Sequence, residues 1–530
     1  MLPHHSNHHC HCHCCAGAHV ASPAPSPATL PRRDFLFRVG ALTAVGGLAL
    51  SSLDAIAAGK NTGPDRAPLP KKPLRVQPVL TYHLPQRRQA TSWRDWGGLQ
   101  TEADVVREKA NISQELARLS AAADFPVQML PIAAVADAAQ AANLAKGDHD
   151  TLIIYAAGGS GQLLEALTVR DKWTLVFLRH QPGPVYLWYE IIHPRFLRRT
   201  VDEYGLSGLD VHDVVVDSQA ELEWRLRALA ALKNTLHKRI VAIGGASGWG
   251  DGGQHAPAIA HNIWKMDIQD YPYQELAPRI KRARANTALV GRCQAQARQY
   301  LRQSGVSLHT TTAFVDNAFV LREVMNDIMD EAKTDAITIN SCMGTIMPMS
   351  ETTACLPLSL LNDDGYLAFC ESDFVVIPSG ILLHYIAAKP VFLNDPTFPH
   401  DNMVTLAHCT APRKMDGKHP ERAKILTHFE SDYGAAPKVE MKIGQSCTNI
   451  VPDFASKKWI GFAGTIVGNP FLDICRSQID VRIDGDSTAL MEQMKGFHWM
   501  MSYGNYLRET GYALKKAGVD WLDLSRPKPV

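Results

Sequence analysis

The sequence predicts an α/β protein in which parallel sheets covered by helices precede a more β-rich region. Two continuous apolar runs, Thr151–Ala157 and Trp173–Leu178, are typical of strands buried on both faces of a sheet. Segments with helical periodicity alternate with such runs, among them Glu102–Ala122 and Ser218–His237. Beyond His408 the alternation gives way to short extended runs separated by glycine, proline and aspartate. The pattern therefore predicts α/β units followed by an α+β region.

The first predicted domain covers residues 73–238 and alternates strands with helices. Because apolar strands joined through helices form parallel sheets, we expect one sheet with helices on both faces. The expected elements in order are an extended run Val76–Tyr82, a helix Glu102–Ala122, an extended run Val127–Ile132, a helix Ala134–Lys146, strands Thr151–Ala157 and Trp173–Leu178, and a helix Ser218–His237.

Two further domains are predicted, at residues 239–350 and 351–530. The second opens with the apolar run Arg239–Ile243 and a glycine-rich turn, which predict another α/β unit. Its other expected elements are helices at about Tyr273–Ser304 and Val315–Ala332 and a strand Ala336–Asn340. In the third domain the expected elements are extended runs Val439–Ile443, Trp459–Val467 and Ile479–Ile483, and a helix Gly504–Ala517.

Length and charge restrict the classes of partner. A chain of 530 residues exceeds what one hydrophobic core usually organises, so two or three domains are expected. The 54 basic and 53 acidic residues give a formal net charge of +1, which argues against nucleic acid or an anionic membrane as a partner. A compact neutral substrate such as a sugar fits this balance better.

Residues 1–58 are predicted to be a twin-arginine export signal. The pair Arg32-Arg33 precedes the apolar run Val39–Leu50, which is too short to span a bilayer, and Ala55-Ile56-Ala57 offers a small-residue cleavage site. The alternative is a chance arginine pair in a disordered N-terminus. A His- and Cys-rich tract upstream of the arginines would be removed with the signal. We therefore expect an exported protein, periplasmic or extracellular, with a linker at residues 59–72 and no membrane partner after cleavage.

The cysteines beyond that tract are predicted to be mostly buried thiols. They are odd in number, scattered, and mostly set among apolar neighbours, whereas a disulfide framework is denser and paired. This pattern leaves a single disulfide open. The residues concerned are Cys293, Cys342, Cys355, Cys370, Cys409, Cys447 and Cys475.

Two glycine-rich turns, Gly158–Gly161 and Gly244–Gly250, invite a nucleotide-binding interpretation. The first lacks the dinucleotide-binding spacing and the second lacks the P-loop lysine, so both are expected to be tight turns at the rim of a ligand site. Ser160 lies outside a G-x-S-x-G nucleophile elbow, which argues against a serine hydrolase.

Glu371 and Asp395 each follow or end an apolar run, and the segment Val375–Ala388 between them is expected to be a helix. A strand–helix–strand passage in a parallel sheet would return Asp395 beside Glu371 at the carboxyl ends of the strands. With His408 and His498 they would form a mixed oxygen and nitrogen set that suits a divalent metal. The alternatives are two exposed loop acids, and histidines that are core residues with satisfied hydrogen bonds.

Several motifs in the same region are shared with a known family. They are Ala354–Gly365, Cys370–Asp373, Leu383–Tyr385, Lys389–Phe392 and Leu406–Cys409. Through these motifs the chain resembles the L-fucose/L-arabinose isomerase superfamily, and within it the L-fucose isomerase-like proteins. The turn Ile243–Trp249 is similar to that group's turn at the start of its second domain.

The resemblance implies two Rossmann-like parallel-sheet domains followed by a C-terminal α+β domain with a β-barrel. It also implies a divalent ion of the Mn²⁺ type held by Glu371, Asp395 and His498. His408 matches an active-site histidine that is a ligand in the arabinose branch, and that branch has glutamate where this chain has Asn394. The remaining residues expected to contact the substrate or support the ligands, besides His408 and Asn394, are Asp373 and Trp249.

The implied activity is aldose–ketose isomerisation of a monosaccharide through a cis-enediol. Glu371 and Asp395 would be the catalytic base and acid that pass a proton between adjacent carbons. Members of the family are often homo-oligomers, so a homo-oligomer is expected. Two alternatives stay open: an exported glycoside-cleaving enzyme that uses the same carboxylates, and a non-catalytic sugar-binding relative.

Overall fold

A six-stranded parallel sheet comes first in the computed structural model, which describes residues 66–186, 192 and 209–525. The predicted export signal therefore lies outside the described residues. The strands of the first sheet are β1 (Leu74–Thr81), β2 (Val127–Met129), β3 (Ala133–Val135), β4 (Thr151–Ala156), β5 (Trp173–Leu178) and β6 (Val214–Val216). The α-helices described with it are Glu102–Ala122, Ala138–Ala145, Gly161–Leu167 and Gln219–Thr235, and Val211–Asp213 is a 3₁₀ turn.

The expected parallel arrangement of this sheet is confirmed, but the helix expected at Ala134–Lys146 begins later. Ala133–Val135 pairs with β1 instead, so its backbone hydrogen bonds are used in the sheet. The Asp137 side chain then accepts a hydrogen bond from the N–H of Gln140 at 2.9 Å and caps the helix that follows.

A second parallel sheet has the order β11-β10-β7-β8. Its strands are β7 (Arg239–Ile243), β8 (Asp267–Tyr271), β10 (Ala336–Ile339) and β11 (Leu367–Cys370). The α-helices along this part of the chain are Ala256–Trp264, Tyr273–Ala285, Thr287–Leu301, Thr312–Ala332, Met347–Ser350 and Cys355–Asp363, with a 3₁₀ turn Asp251–Gly253 and a π-helical turn Cys342–Ile346. The predicted domain boundary at residue 350 falls between two adjacent strands of this sheet.

The helix expected at Tyr273–Ser304 is two helices, which meet at Asn286. Asn286 leaves the helical region with φ −83° and ψ 96°, and its side chain accepts from the N–H of Leu289. The residue thus ends one helix and caps the next, a role that asparagine favours.

The C-terminal region contains a closed barrel of six antiparallel strands. Its members are β12 (Phe392–Pro396), β13 (Met403–His408), β16 (Ser446–Val451), β17 (Lys458–Gly468), β18 (Ser477–Ile483) and β19 (Trp499–Tyr503). The barrel closes because β16 pairs with both β17 and β19, and β20 (Asp520–Asp523) adds to β17 in parallel. A small third sheet combines β9 (Val306–Leu308), β14 (Arg422–Leu426) and β15 (Ala436–Glu440). The helices here are Ile377–Ala387, Ser487–Gln493 and Leu507–Lys516.

The passage from Glu371 to Asp395 differs from the prediction. The expected helix forms at Ile377–Ala387, but β11 belongs to the second parallel sheet and β12 to the barrel. The two strands are therefore not parallel neighbours, and that part of the prediction was wrong. The helix is buried along its whole length and contacts β19 as well as the helix Gln219–Thr235, so it joins two layers instead of covering one sheet.

Among the described residues, no helix has both the length and the apolar character needed to cross a membrane.

Candidate metal centre

Glu371 directly follows β11 in a tight turn with unusual backbone geometry. Glu371 and Ser372 both have positive φ, 63° and 48°, in the left-handed region that costs an L-residue about 1–2 kcal/mol. The N–H of Ser372 donates to Oγ1 of Thr338 on β10 at 3.1 Å, and the carbonyl of Ser372 accepts from the N–H of Ser247 at 3.2 Å. Two neighbouring strand ends of the second sheet thus hold the turn that carries Glu371.

Asp373 orients the buried imidazole of His498. Nδ1 of His498 lies 2.8 Å from Oδ2 of Asp373, and both side chains are almost completely buried. The other carboxylate oxygen of Asp373 accepts hydrogen bonds from the N–H groups of Val375, at 3.0 Å, and Trp249, at 3.3 Å. Because Asp373 accepts on both oxygens, Nδ1 of His498 carries the proton and Nε2 faces away from Asp373. Histidine ligands of metals are commonly held in this way.

Nε2 of His498 lies between the two predicted carboxylate ligands. It is 3.3 Å from Oε2 of Glu371 and 3.2 Å from Oδ1 of Asp395. Within the part of the chain that the structure describes, neither this Nε2 nor Oδ1 of Asp395 has a hydrogen-bond partner, although both atoms are buried. Unsatisfied buried polar atoms are costly, and a cation coordinated by both would satisfy them. The donor set therefore fits a divalent ion.

His408, the last residue of β13, completes the cluster. Its Nε2 is 3.7 Å from Oε1 of Glu371, and its Nδ1 is 3.0 Å from the hydroxyl of Thr410. Potential ligand atoms of Asp395, His408 and His498 all lie within 4.8 Å of one another. The structure thus brings Glu371, Asp395, His408 and His498 together.

The charges of these groups push the two carboxyl pKa values in opposite directions. Burial raises the pKa of Glu371, but the positive charges of His498 and His408 outweigh burial and hold that pKa well below its usual value. Burial also raises the pKa of Asp395, and here the histidines offset it only in part. Burial lowers the pKa of His498, yet the charges of Glu371 and Asp395 more than compensate and hold it well above its usual value. Glu371 is surrounded densely by protein, yet 43% of its side chain remains accessible to solvent.

Trp249 and Asn394 occupy different positions relative to the cluster. Trp249 stacks on Phe497 with ring centroids 3.7 Å apart and planes at 5°, and Phe497 contacts the ring of His498 edge-on. Asn394 is buried, and its amide donates to the carbonyl of Phe392 on its own strand at 2.9 Å. Because side chains alternate along a strand, Asn394 lies on the face of β12 opposite Asp395.

Sequence reasoning missed the residues that position the ligands. Thr338, Ser247, Thr410 and Phe497 each contact the cluster or the turn beneath it. Phe497 and Thr410 could have been suspected from their places next to His498 and His408. Ser247 lies in the glycine-rich turn Gly244–Gly250, which was expected at the rim of a ligand site, although no feature of the turn singles out the serine. Thr338 lies on β10, distant from Glu371 in sequence, so no local signal identifies it.

The cavity lined by Arg66, Cys293 and Arg322 is a separate feature. It encloses about 140 Å³ and contains none of the predicted site residues. The predicted site residues lie instead where strand ends of the second sheet meet the barrel.

Comparison with models of known protein families finds no match, and comparison with curated proteins finds none either. Functional inference therefore depends on the geometry of the cluster and on the residues of the chain itself.

Proposed function

We propose that this protein is a divalent-metal-dependent sugar isomerase, related to the L-fucose isomerase-like proteins, that interconverts an aldose and a ketose. One observation carries the proposal. Nε2 of His498 and Oδ1 of Asp395 are buried 3.2 Å apart next to the carboxylate of Glu371, and neither atom has a hydrogen-bond partner among the described residues. The assignment of the two parallel-sheet regions as Rossmann-like domains belongs to the same proposal.

Glu371, Asp395 and His498 would hold the ion, with His408 beside them. Two carboxylates and an imidazole suit Mn²⁺ and related ions better than a thiophilic metal. When bound, such an ion would polarise neighbouring sugar oxygens and stabilise negative charge that develops on them. The hydrogen bond from His498 to Asp373 keeps the lone pair of Nε2 free for coordination.

Glu371 and Asp395 would perform the proton transfer. The low pKa of Glu371 keeps it ionised, so it can act as the base that removes a proton from a carbon of the sugar. Asp395, whose pKa burial raises, would be the partner that returns the proton at the neighbouring carbon. The accessible part of Glu371 is where a substrate could reach the pair.

Trp249 would provide a face for the sugar ring. Its indole is 40% exposed although one of its faces is covered by Phe497. An exposed indole offers apolar area to the C–H face of a neutral sugar. Phe497, on which Trp249 stacks, also packs edge-on against the ring of His498. A sugar bound on Trp249 would therefore lie next to a proposed metal ligand.

The test uses purified protein stripped with a chelator and reloaded with Mn²⁺. Incubation with a panel of aldoses in deuterated water should give ketose and incorporate deuterium at the carbon that exchanges its proton. Glu371→Gln should abolish both signals, whereas Glu275→Gln, a change at an exposed glutamate, should leave them intact. Release of monosaccharide from an oligosaccharide would instead support glycoside cleavage. Thermal stabilisation by sugars without turnover would support a binding protein.

Export through the twin-arginine pathway and assembly into a homo-oligomer complete the proposal. N-terminal sequencing of protein recovered outside the cytoplasm should begin after Ala57 or close to it. A mature protein that retains Arg32-Arg33 would contradict export by this route. Light scattering of the mature protein measures the number of subunits.

A further inference from the structure

A second cluster of metal-binding side chains lies behind β13, among residues that the proposed isomerase reaction does not use. Cys355, Cys409 and His428 bring potential ligand atoms within 4.8 Å of one another. All three side chains are buried, and Cys475 packs against the same group. Cys355, Cys409 and Cys475 are all free thiols and form no disulfide with one another.

Four separate elements contribute one side chain each. Cys355 is the first residue of the helix Cys355–Asp363, and Cys409 directly follows β13. His428 lies just beyond β14, and Cys475 precedes β18. Because the elements come from the sheet layer, the barrel and the small third sheet, an ion held by all four side chains would cross-link parts of the chain that are distant in sequence.

The surrounding contacts hold the cluster in place. Nε of Arg476 donates to the carbonyl of Thr427 at 2.7 Å, and the N–H of Arg476 lies 3.5 Å from Sγ of Cys409. The hydroxyl of Ser431 is 3.3 Å from Nδ1 of His428, which leaves Nε2 of that ring for coordination.

We propose that Cys355, Cys409, Cys475 and His428 form a site for a thiophilic divalent ion such as Zn²⁺. Three thiolates and one imidazole are a complete tetrahedral ligand set, which is typical of structural zinc sites without an open position. In such a site neighbouring ligand atoms lie roughly 3.5–3.8 Å apart. The ligand atoms of Cys355, Cys409 and His428, which lie within 4.8 Å of one another, would therefore move closer by about 1 Å or less, and Cys475 would turn towards them. Binding converts each thiol to a thiolate and releases its proton to solvent.

The two clusters would select different ions. Thiolates favour Zn²⁺, whereas the carboxylates of the candidate metal centre favour harder ions such as Mn²⁺. The role of the thiol cluster is structural and does not depend on whether the protein is an isomerase.

Titration of the reduced mature protein, which lacks the N-terminal His- and Cys-rich tract, with Co²⁺ tests the site, because thiolate ligands give an intense charge-transfer absorption that carboxylate and imidazole ligands do not. We expect a thiolate–cobalt band that saturates at one ion per chain and is removed by Zn²⁺. Cys355→Ala and Cys409→Ala should abolish it. Cys293→Ala, at a buried cysteine outside the cluster, and Asp395→Asn should retain it.

A second measurement uses only the wild-type protein, so it does not depend on whether the cysteine variants fold. In the wild-type protein Zn²⁺ should protect Cys355, Cys409 and Cys475 from a thiol-labelling reagent, as measured by mass spectrometry after brief exposure, without changing the labelling of Cys447. A folded, reduced wild-type protein without a thiolate band and without this protection would overturn the proposal. So would a native disulfide between Cys409 and Cys475 whose reduction creates no site for Co²⁺. The absence of isomerase activity alone changes neither measurement.

Discussion

Two adjacent residues at the end of β13 lie in two different clusters. His408 contacts Glu371 of the candidate metal centre, whereas Cys409 lies among the thiols of Cys355 and Cys475. Successive side chains of a strand point to opposite faces, so one strand end can supply a ligand to each cluster. Glu371 exposes 43% of its side chain, but Cys409 is 2% exposed. Accessible oxygen donors suit an ion that handles substrate, and enclosed thiols suit a structural ion.

The largest expected effect separates these two roles. Asp395→Asn removes the proposed acid and one anionic ligand, so kcat should fall by about 10²–10⁴-fold, the range for loss of general acid–base catalysis. The thiolate–cobalt band should remain. Cys355→Ala should do the opposite, with the band lost and kcat retained once Mn²⁺ is supplied. If both variants lose both signals, the clusters are not independent. Steady-state kinetics and Co²⁺ absorption measured on the same preparations decide this.

The next effect concerns Asp373, which contacts His498 but not the proposed ion. Asp373→Asn keeps one acceptor oxygen but weakens the bond that orients His498, so Mn²⁺ affinity should fall about 10–100-fold, as is typical for partners of metal-binding histidines. Paramagnetic resonance of free Mn²⁺ measures the affinity. Asp401→Asn, at an exposed position, is the control and should bind normally. Unchanged Mn²⁺ binding in Asp373→Asn would place the metal elsewhere.

A smaller effect compares two buried histidines with different neighbours. His498 lies beside carboxylates. His384 instead lies near lysines, and its pKa is lowered to about 3, mainly by burial and further by the positive charges of Lys71 and Lys238. Folding therefore favours neutral His384. That stabilisation is complete above the unfolded pKa of about 6.5 and is lost as the pH falls from there towards about 3, at no more than about 1.4 kcal/mol per pH unit.

The experiment is urea unfolding between pH 7 and pH 5. His384→Gln should reduce the loss of unfolding free energy on acidification, since glutamine does not titrate. His419→Gln changes a histidine whose side chain is 83% exposed and should follow the wild type. An identical pH slope in all three proteins would show that His384 does not contribute.

The smallest effect is expected at Trp249. Trp249→Ala removes the proposed sugar-facing indole and its stack on Phe497, so KM should rise by roughly 2–10-fold, which corresponds to about 0.5–1.5 kcal/mol. Trp249→Phe should restore most of the loss. Trp96→Ala, at another exposed tryptophan, should leave KM unchanged. A fall in kcat without a change in KM would mean that the stack supports His498 and does not contact the sugar.

Local patterns predicted most of the secondary structure. The helix Glu102–Ala122 and the strand Trp173–Leu178 have the predicted bounds, because a capping box at Thr101 and a fully apolar run are signals carried by the segments themselves. The predicted helix Ala134–Lys146 was wrong at its start, where pairing with β1 overrides helical propensity. Glu371 and Asp395 do lie close together, but the reason given for expecting this was wrong. The two residues were expected on parallel neighbours of one sheet, whereas β11 belongs to the second sheet and β12 to the barrel.

The sequence by itself determined the alternating elements, the acids that follow or end apolar runs and the histidines near them, because these features depend on periodicity and residue type within short segments. Only the tertiary structure decided that Asp373 holds His498, that the turn at Glu371 rests on Thr338, and that Cys355 meets Cys409. These contacts join strand ends of different sheets, and barrel closure and layer packing bring them together through interactions that no local sequence pattern records.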